Sequence, residues 1–197
     1  MNKIIILSFL LTLGFMSCKN SEKQINNIEI AKDFYTVLNN YNYATIPLLI
    51  KDSILTKEGS YKKTFSQYDF IELLKWDSIF KPEYTILKIE EENGVVKARI
   101  SKKDKRILFL HEAPIVTNEV ITFSEGKIKS VEITDYAVFN DTVFSKNRSK
   151  LLSWINENHP ELNGFIHDQT KTGGLKYLKA LDFYEKAHQN TTSNSVK

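Results

Sequence analysis

The sequence predicts an α+β fold, because the spacing of its apolar residues changes twice along the chain. In the first third they recur at helical spacing, as at Ile30, Phe34 and Leu38. In the middle, short apolar or alternating runs are separated by tight-turn signals, of which Asn93-Gly94 is the strongest. Helical spacing returns in the last third. Helices followed by a run of antiparallel strands are typical of the α+β class.

Two capping-box patterns mark where the N-terminal helices begin. Asn26 stands three residues before Glu29, and Ser66 stands three residues before Asp69. Between them the sequence predicts a short apolar helix, with Pro47 in its first turn. The predicted elements of this half are a helix from 26, a short helix at 44–50, an extended segment at 51–57 and a helix at 67–80.

The middle of the chain predicts antiparallel strands, because connections this short cannot join parallel ones. Asn93-Gly94 and Glu125-Gly126 supply two of the turns. The basic stretch 101–106 lies between two predicted strands and is typical of a solvated hairpin tip. The predicted strands span 84–91, 95–100, 107–112, 115–123 and 127–138.

The last third predicts further helices. Leu151 and Ile155 lie on the apolar face of one of them. Gly173-Gly174 is predicted to break the chain before a final amphipathic helix. Residues 190–197 are polar and are predicted to be disordered.

Cys18, the only cysteine, follows an apolar run over residues 4–16. The run is too short to cross a membrane, since a spanning helix needs about 20 residues. A short apolar segment between a positive charge, here Lys3, and a small residue, here Ser17, is typical of a removed export signal. The segment resembles a bacterial lipoprotein signal peptide, which is cut before a cysteine that then carries lipid.

This resemblance implies a membrane partner, reached through a lipid anchor in the envelope of a Gram-negative bacterium. Two or more acyl chains hold a protein stably at a membrane, whereas one chain does not. Lys19 stands where an inner-membrane retention signal would place Asp, so the outer membrane is the expected location. The alternatives are a secretory signal followed by an unrelated cysteine, and an uncleaved anchor.

Composition and motifs exclude several functional classes. The formal net charge is only +3 and no stretch forms an extended basic face, so no nucleic-acid partner is expected. The 42% of hydrophobic residues supports a sizeable core without disulfides. The four histidines lack metal-ligand spacing, and nucleotide-binding and nucleophile motifs are absent, so neither a metal nor a cofactor is expected.

Two segments resemble the NTF2-like superfamily, a cone-shaped α+β fold that includes the SnoaL-like proteins. Residues 43–54 (YATIPLLIKDSI) are similar to its second helix running into its first short strand. Residues 120–131 (VITFSEGKIKSV) are similar to its last hairpin. The implied division is a signal peptide at 1–17, a flexible tether at 18–27, an NTF2-like domain at 28–144, a C-terminal helical extension at 145–189 and a disordered tail at 190–197.

The resemblance implies that an enzymatic member would use a His and an Asp inside the cone, for which this chain offers His111 and Asp135. On the predicted strand, His111 shares a face with Ile107 and Phe109, where it could act as a general base. The alternative is a packed histidine that is hydrogen-bonded to a neighbour.

Three aromatic residues, Trp76, Phe109 and Tyr136, are candidates for lining an apolar ligand cavity. The alternative for each is ordinary core packing. Thr142, which follows Asp141 and precedes an aliphatic residue, resembles a site of bacterial protein O-glycosylation in a predicted loop. The alternative is a capping or turn pair.

We therefore predict a non-enzymatic, lipid-anchored envelope protein whose cone binds a small apolar ligand or a protein partner. The first alternative is a SnoaL-like isomerase or hydrolase-type enzyme with His111 as general base. The second is an envelope interaction protein that uses its C-terminal helices as the contact surface. A His111 ring inside a cavity would favour the enzyme, and an exposed apolar patch on the extension would favour the interaction protein.

Overall fold

The computed structural model describes residues 26–194. Cys18, the predicted signal peptide and most of the predicted tether lie outside the described residues. In the described part of the chain, no helix has the length and apolar character needed to cross a membrane.

Helices occupy both ends of the described chain. Both predicted N-caps are confirmed, because Asn26 accepts a hydrogen bond from the backbone of Glu29 at 3.1 Å and Ser66 accepts one from Asp69 at 3.1 Å. The described α-helices are α1 (Asn27–Asn40), α2 (Ile46–Leu49), α3 (Gln67–Ser78), α4 (Lys105–His111), α5 (Asp141–Asn158) and α6 (Lys171–Asn194).

The strands form one curved sheet in the order β2-β1-β6-β5-β4-β3. All neighbours are antiparallel except β1 and β6. Asn93-Gly94 and Glu125-Gly126 form the turns that the sequence predicts, and register shifts between β5 and β6 bend the sheet. The strands are β1 (Ile50–Glu58), β2 (Tyr61–Ser66), β3 (Glu83–Glu92), β4 (Val95–Lys103), β5 (Ile115–Ser124) and β6 (Lys127–Val138).

This architecture confirms the predicted α+β class: N-terminal helices lie on a curved sheet, together called the cone, and a C-terminal helical extension (α5 and α6) follows. The sheet departs from the predicted antiparallel arrangement where β1 lies parallel to β6. One apolar core lies between α1, α3 and the sheet. A second core joins α3 to the extension, with Trp76 and Phe80 packed among residues such as Leu151, Phe165 and Leu181. The extension is therefore fixed against the cone through α3.

The predicted strand at 107–112 is wrong, because residues 107–111 belong to helix α4, which ends before Glu112. Asp104 caps the helix by accepting a hydrogen bond from the backbone of Ile107 at 2.6 Å. Ile107 and Leu110, three residues apart, are buried on one face of the helix. The stretch 101–106 is consequently no hairpin tip.

The predicted chain break at Gly173-Gly174 is also wrong, because both glycines lie in the first turn of α6. Their lack of a side chain allows close packing. A Cβ at Gly173 would overlap the backbone oxygen of Asp168, and one at Gly174 would lie 2.6 Å from the Ile79 Cδ1 atom. Helix α6 continues to Asn194, into the segment 190–197 that was predicted to be disordered.

Candidate functional site

The cone is hollow. Two neighbouring cavities, the inner cavity of about 410 Å³ and the outer cavity of about 650 Å³, lie between the sheet and the helices. Both volumes fall in the range of about 300–1,000 Å³ that is typical of small-molecule sites. The cavities adjoin through seven shared lining residues, Glu58, Trp76, Tyr84, Lys102, Arg106, Glu119 and Ile133.

The two cavities differ in their walls. The inner cavity is walled mainly by apolar side chains from α1, α3, β1, β2 and β6. The outer cavity is closed on one side by the extension, through Phe144 and Arg148 of α5, Ile166, and Tyr177 of α6. The apolar walls of the inner cavity are Phe34, Leu38, Ile54, Phe65, Phe70, Leu73, Leu74 and Val131.

A network of charged side chains, the Asp77 cluster, lies between the cavities. The Lys102 Nζ atom donates to both Asp77 oxygens at 3.0 and 2.8 Å, and the Tyr84 hydroxyl donates to Asp77 at 3.0 Å. The Arg106 Nη2 atom donates to Asp104 at 3.1 Å and to Asp77 at 3.4 Å. Two cations and two carboxylates therefore compensate each other.

Burial works against ionisation of Asp77, but the positive charges of Lys102 and Arg106 outweigh it and lower the pKa of this carboxyl. Burial likewise works against the charged form of Lys102, and Asp77 outweighs it, so the pKa of the amine is raised. Both members of the pair stay charged at neutral pH.

Glu119 on β5 faces both cavities. Its carboxylate accepts hydrogen bonds from the Tyr35 hydroxyl at 2.6 Å and from the Thr117 hydroxyl at 2.7 Å. Burial raises its pKa, although both hydroxyls and the charge of Lys102 act in the opposite direction. Burial therefore favours the protonated form of Glu119 more than water would.

The structure places His111 away from both cavities, at the end of α4. Its Nδ1 atom lies 2.8 Å from the Ala113 carbonyl oxygen, and its Nε2 atom accepts the Asn140 backbone N–H at 2.7 Å. The ring is buried and stacks on Phe139. With both nitrogens bonded to the backbone, it offers no free lone pair to a substrate.

Asp135 is exposed on β6 and accepts a hydrogen bond from the Asn118 amide at 2.8 Å. It lines neither the inner nor the outer cavity. The structure therefore does not bring His111 and Asp135 together in the cone.

Of the three aromatic candidates, two line a cavity and one does not. Trp76 lines both cavities, and Tyr136 lines the outer cavity, where its hydroxyl is hydrogen-bonded to Glu58. Phe109 lies instead in the contact between α4 and α6, edge-on to Tyr184. Thr142 is exposed in the first turn of α5, so the loop predicted at this position is wrong.

Sequence reasoning missed the residues that give the interior its charge. Asp77, Lys102 and Glu119 lie on three different elements, and no short motif relates them. A signal for α4 was present, since Asp104 stands three residues before Ile107 as a helix cap would. In the described part of the chain, no group of His, Cys, Asp or Glu side chains is arranged to hold a metal ion.

Neither a family model nor a curated protein matches this sequence. The chain is similar to the solved structure of an NTF2-like protein of unknown function from Cytophaga hutchinsonii, with 14% identity, 61% of this chain and 96% of that chain covered, and a TM-score of 0.47. A ketosteroid isomerase-like protein from Kribbella flavida has 9% identity, coverage of 58% and 79%, and a TM-score of 0.48. A polyketide cyclase-like protein from Sinorhizobium meliloti has 8% identity, coverage of 54% and 94%, and a TM-score of 0.47. Similarities this distant assign no activity.

Proposed function

We propose that this protein is a lipid-anchored envelope protein whose cone binds a small apolar or amphipathic molecule. The observation that carries the binding proposal is the pair of adjoining cavities with apolar walls and a compensated polar centre. The pattern that ends at Cys18 supports the anchor.

The walls of the inner cavity favour an apolar ligand. Phe34, Ile54 and Phe70 present hydrocarbon to the space between helices and sheet. Water gains few hydrogen bonds against such surfaces, whereas a ligand that covers them gains hydrophobic and dispersion energy. A small apolar molecule is therefore the best-matched occupant.

Two features support binding over the alternatives. His111 is held by backbone partners at both ring nitrogens, which leaves the enzymatic alternative without its predicted base. Among the described residues of the predicted extension, Leu175 is the one large apolar side chain that is clearly exposed. A single exposed leucine does not make the apolar patch that a protein contact surface needs.

A filled-cavity variant tests the proposal. Ile133 lines both cavities, and Thr134 is exposed as the next residue of β6. We expect the neutral fluorescent probe phenylnaphthylamine to bind the wild type and the control Thr134→Trp, and to bind Ile133→Trp much more weakly. Equal probe binding by both variants would show that the probe does not enter the cone.

A second candidate function is acid–base catalysis by Glu119, favoured by its raised pKa and its position between the cavities. The corresponding reaction class is proton transfer at carbon next to a carbonyl group. The test is hydrogen–deuterium exchange in a panel of small apolar ketones, where Glu119→Gln should stop exchange while phenylnaphthylamine still binds. Exchange that is no faster with the wild type than in buffer would exclude this function for the panel.

A further inference from the structure

We propose that the ligand is an amphipathic monocarboxylic acid, whose carboxylate binds Arg148 in the outer cavity and whose hydrocarbon chain extends into the inner cavity. This inference rests on the proposed binding function and adds to it the chemical class and the orientation of the ligand. The charges and the apolar walls of the two cavities support this inference.

Arg148 is a cation without a counter-ion in the described part of the chain. It is half-buried on α5 and lines the outer cavity. No described carboxylate pairs with its guanidinium, in contrast to Arg106, which pairs with Asp77 and Asp104. A partly desolvated charge without a partner is unfavourable, so this site favours an anion.

The other cavity charges already have partners. Lys102 and Arg106 are compensated by the Asp77 cluster. Glu119 accepts two hydroxyl hydrogen bonds, and Glu58 is hydrogen-bonded to Tyr136. Lys57, at the inner cavity, pairs with Glu132 at 2.9 Å.

Among the cations that line the two cavities, only Arg148 therefore has no described carboxylate partner. A guanidinium matches the two oxygens of a carboxylate in a planar, bidentate arrangement. A phosphate head would bring about two negative charges, more than this single cation compensates. The charge pattern thus favours a singly charged carboxylate.

The surroundings of Arg148 favour a ligand whose remaining part is apolar. Besides the paired charges and the hydroxyl groups, the outer cavity is lined by apolar side chains such as Ile107, Leu110, Ile115 and Phe144. It adjoins the inner cavity through shared lining residues, and the inner cavity is walled by hydrocarbon. A head at Arg148 on the extension side leaves the space inside the cone for the chain.

The test compares an acid with an alcohol of the same chain length. The affinity of each is measured by its displacement of phenylnaphthylamine from the full-length protein at neutral pH. We expect dodecanoate to bind about tenfold more tightly than dodecanol. Arg148→Gln should abolish this preference. Arg99→Gln is the matched control, because Arg99 is exposed on β4 and its neutralisation removes the same charge from outside the cone.

The outcomes separate the two proposals. Equal affinity of the wild type for dodecanoate and dodecanol, or a preference that persists in Arg148→Gln, would overturn the assignment of the carboxylate site while ligand binding stands. Failure of the probe, the acid and the alcohol to bind would overturn the proposed function itself.

The orientation is tested on the wild type, so it does not depend on a variant that folds. A fatty acid with a photoreactive diazirine at the end remote from its carboxylate should label inner-cavity residues such as Phe34 and Leu38. Labelling confined to Phe144 and Ile166 would indicate the opposite orientation and overturn the assignment of the carboxylate to Arg148.

Discussion

Asp77 connects helix α3 to three other elements through one carboxylate. It accepts hydrogen bonds from Tyr84 of β3, Lys102 of β4 and Arg106 of α4. The Arg106 guanidinium also lies 4.8 Å from the centre of the Trp76 ring. A charged residue in the interior thus fixes the region where the two cavities meet.

Removing this carboxylate should be costly, because the buried Lys102 would lose its carboxylate partner and Arg106 would keep only Asp104. We expect Asp77→Asn to lower the free energy of unfolding by about 3 kcal/mol in a urea titration. Asp52→Asn, exposed on β1, is the control for the same chemical change and should leave the free energy nearly unchanged. Equal stability of both variants would show that Lys102 and Arg106 do not depend on Asp77.

The raised pKa of Glu119 makes stability depend on pH. The folded protein holds this proton more tightly than the unfolded chain, so stability should fall as the pH rises from about 4.3, the ordinary glutamate pKa, through the raised value. We expect Glu119→Gln to gain stability relative to the wild type across that window and to keep the gain above it.

The measurement is the free energy of unfolding in urea at a series of pH values. Glu157→Gln, exposed on α5, should give a curve parallel to that of the wild type. A Glu119→Gln curve that is also parallel would show that burial does not raise this pKa.

The sequence predicts the helices and turns that have strong local signals. The caps at Asn26 and Ser66 and the turn at Asn93-Gly94 depend on neighbouring residues, and all are confirmed. Strand β2 was missed because only Phe65 on it is buried, so no alternation marks it. Short apolar runs such as the one in α4 fit a strand and a helix equally well.

Gly173 and Gly174 are helical although a Gly-Gly pair predicts a chain break, because their neighbours leave no room for side chains. We expect Gly173→Ala to lower the free energy of unfolding by about 2 kcal/mol, because its Cβ would overlap the backbone of Asp168. Gly174→Ala should cost less, since its closest contact, at 2.6 Å, is the flexible end of Ile79, and Trp76 lies farther away at 3.0 Å. Urea titrations of both variants check the order, and a reversed order would contradict the packing argument.

The C-terminal extension adds a wall to the outer cavity. Trp76 of α3 and Phe80, just after that helix, belong to the core of the extension, while Trp76 also lines both cavities. Arg148 and Tyr177 close one side of the outer cavity. None of this is visible in the sequence, because it depends on how a late helix packs on an early one. The extension therefore belongs to the candidate site.

The pattern that ends at Cys18 predicts where the molecule is held. If lipid on Cys18 holds the protein at the membrane, Cys18→Ala should move it from the membrane fraction to the soluble fraction and abolish labelling by a fatty-acid analogue. The domain should be unaffected, because residues 26–194 form the cone and its extension without Cys18. Cys18→Ser is a second variant that removes the thiol with little change in size. Continued labelling of either variant would exclude the predicted anchor, whereas loss of labelling with unchanged phenylnaphthylamine binding would separate anchoring from ligand binding.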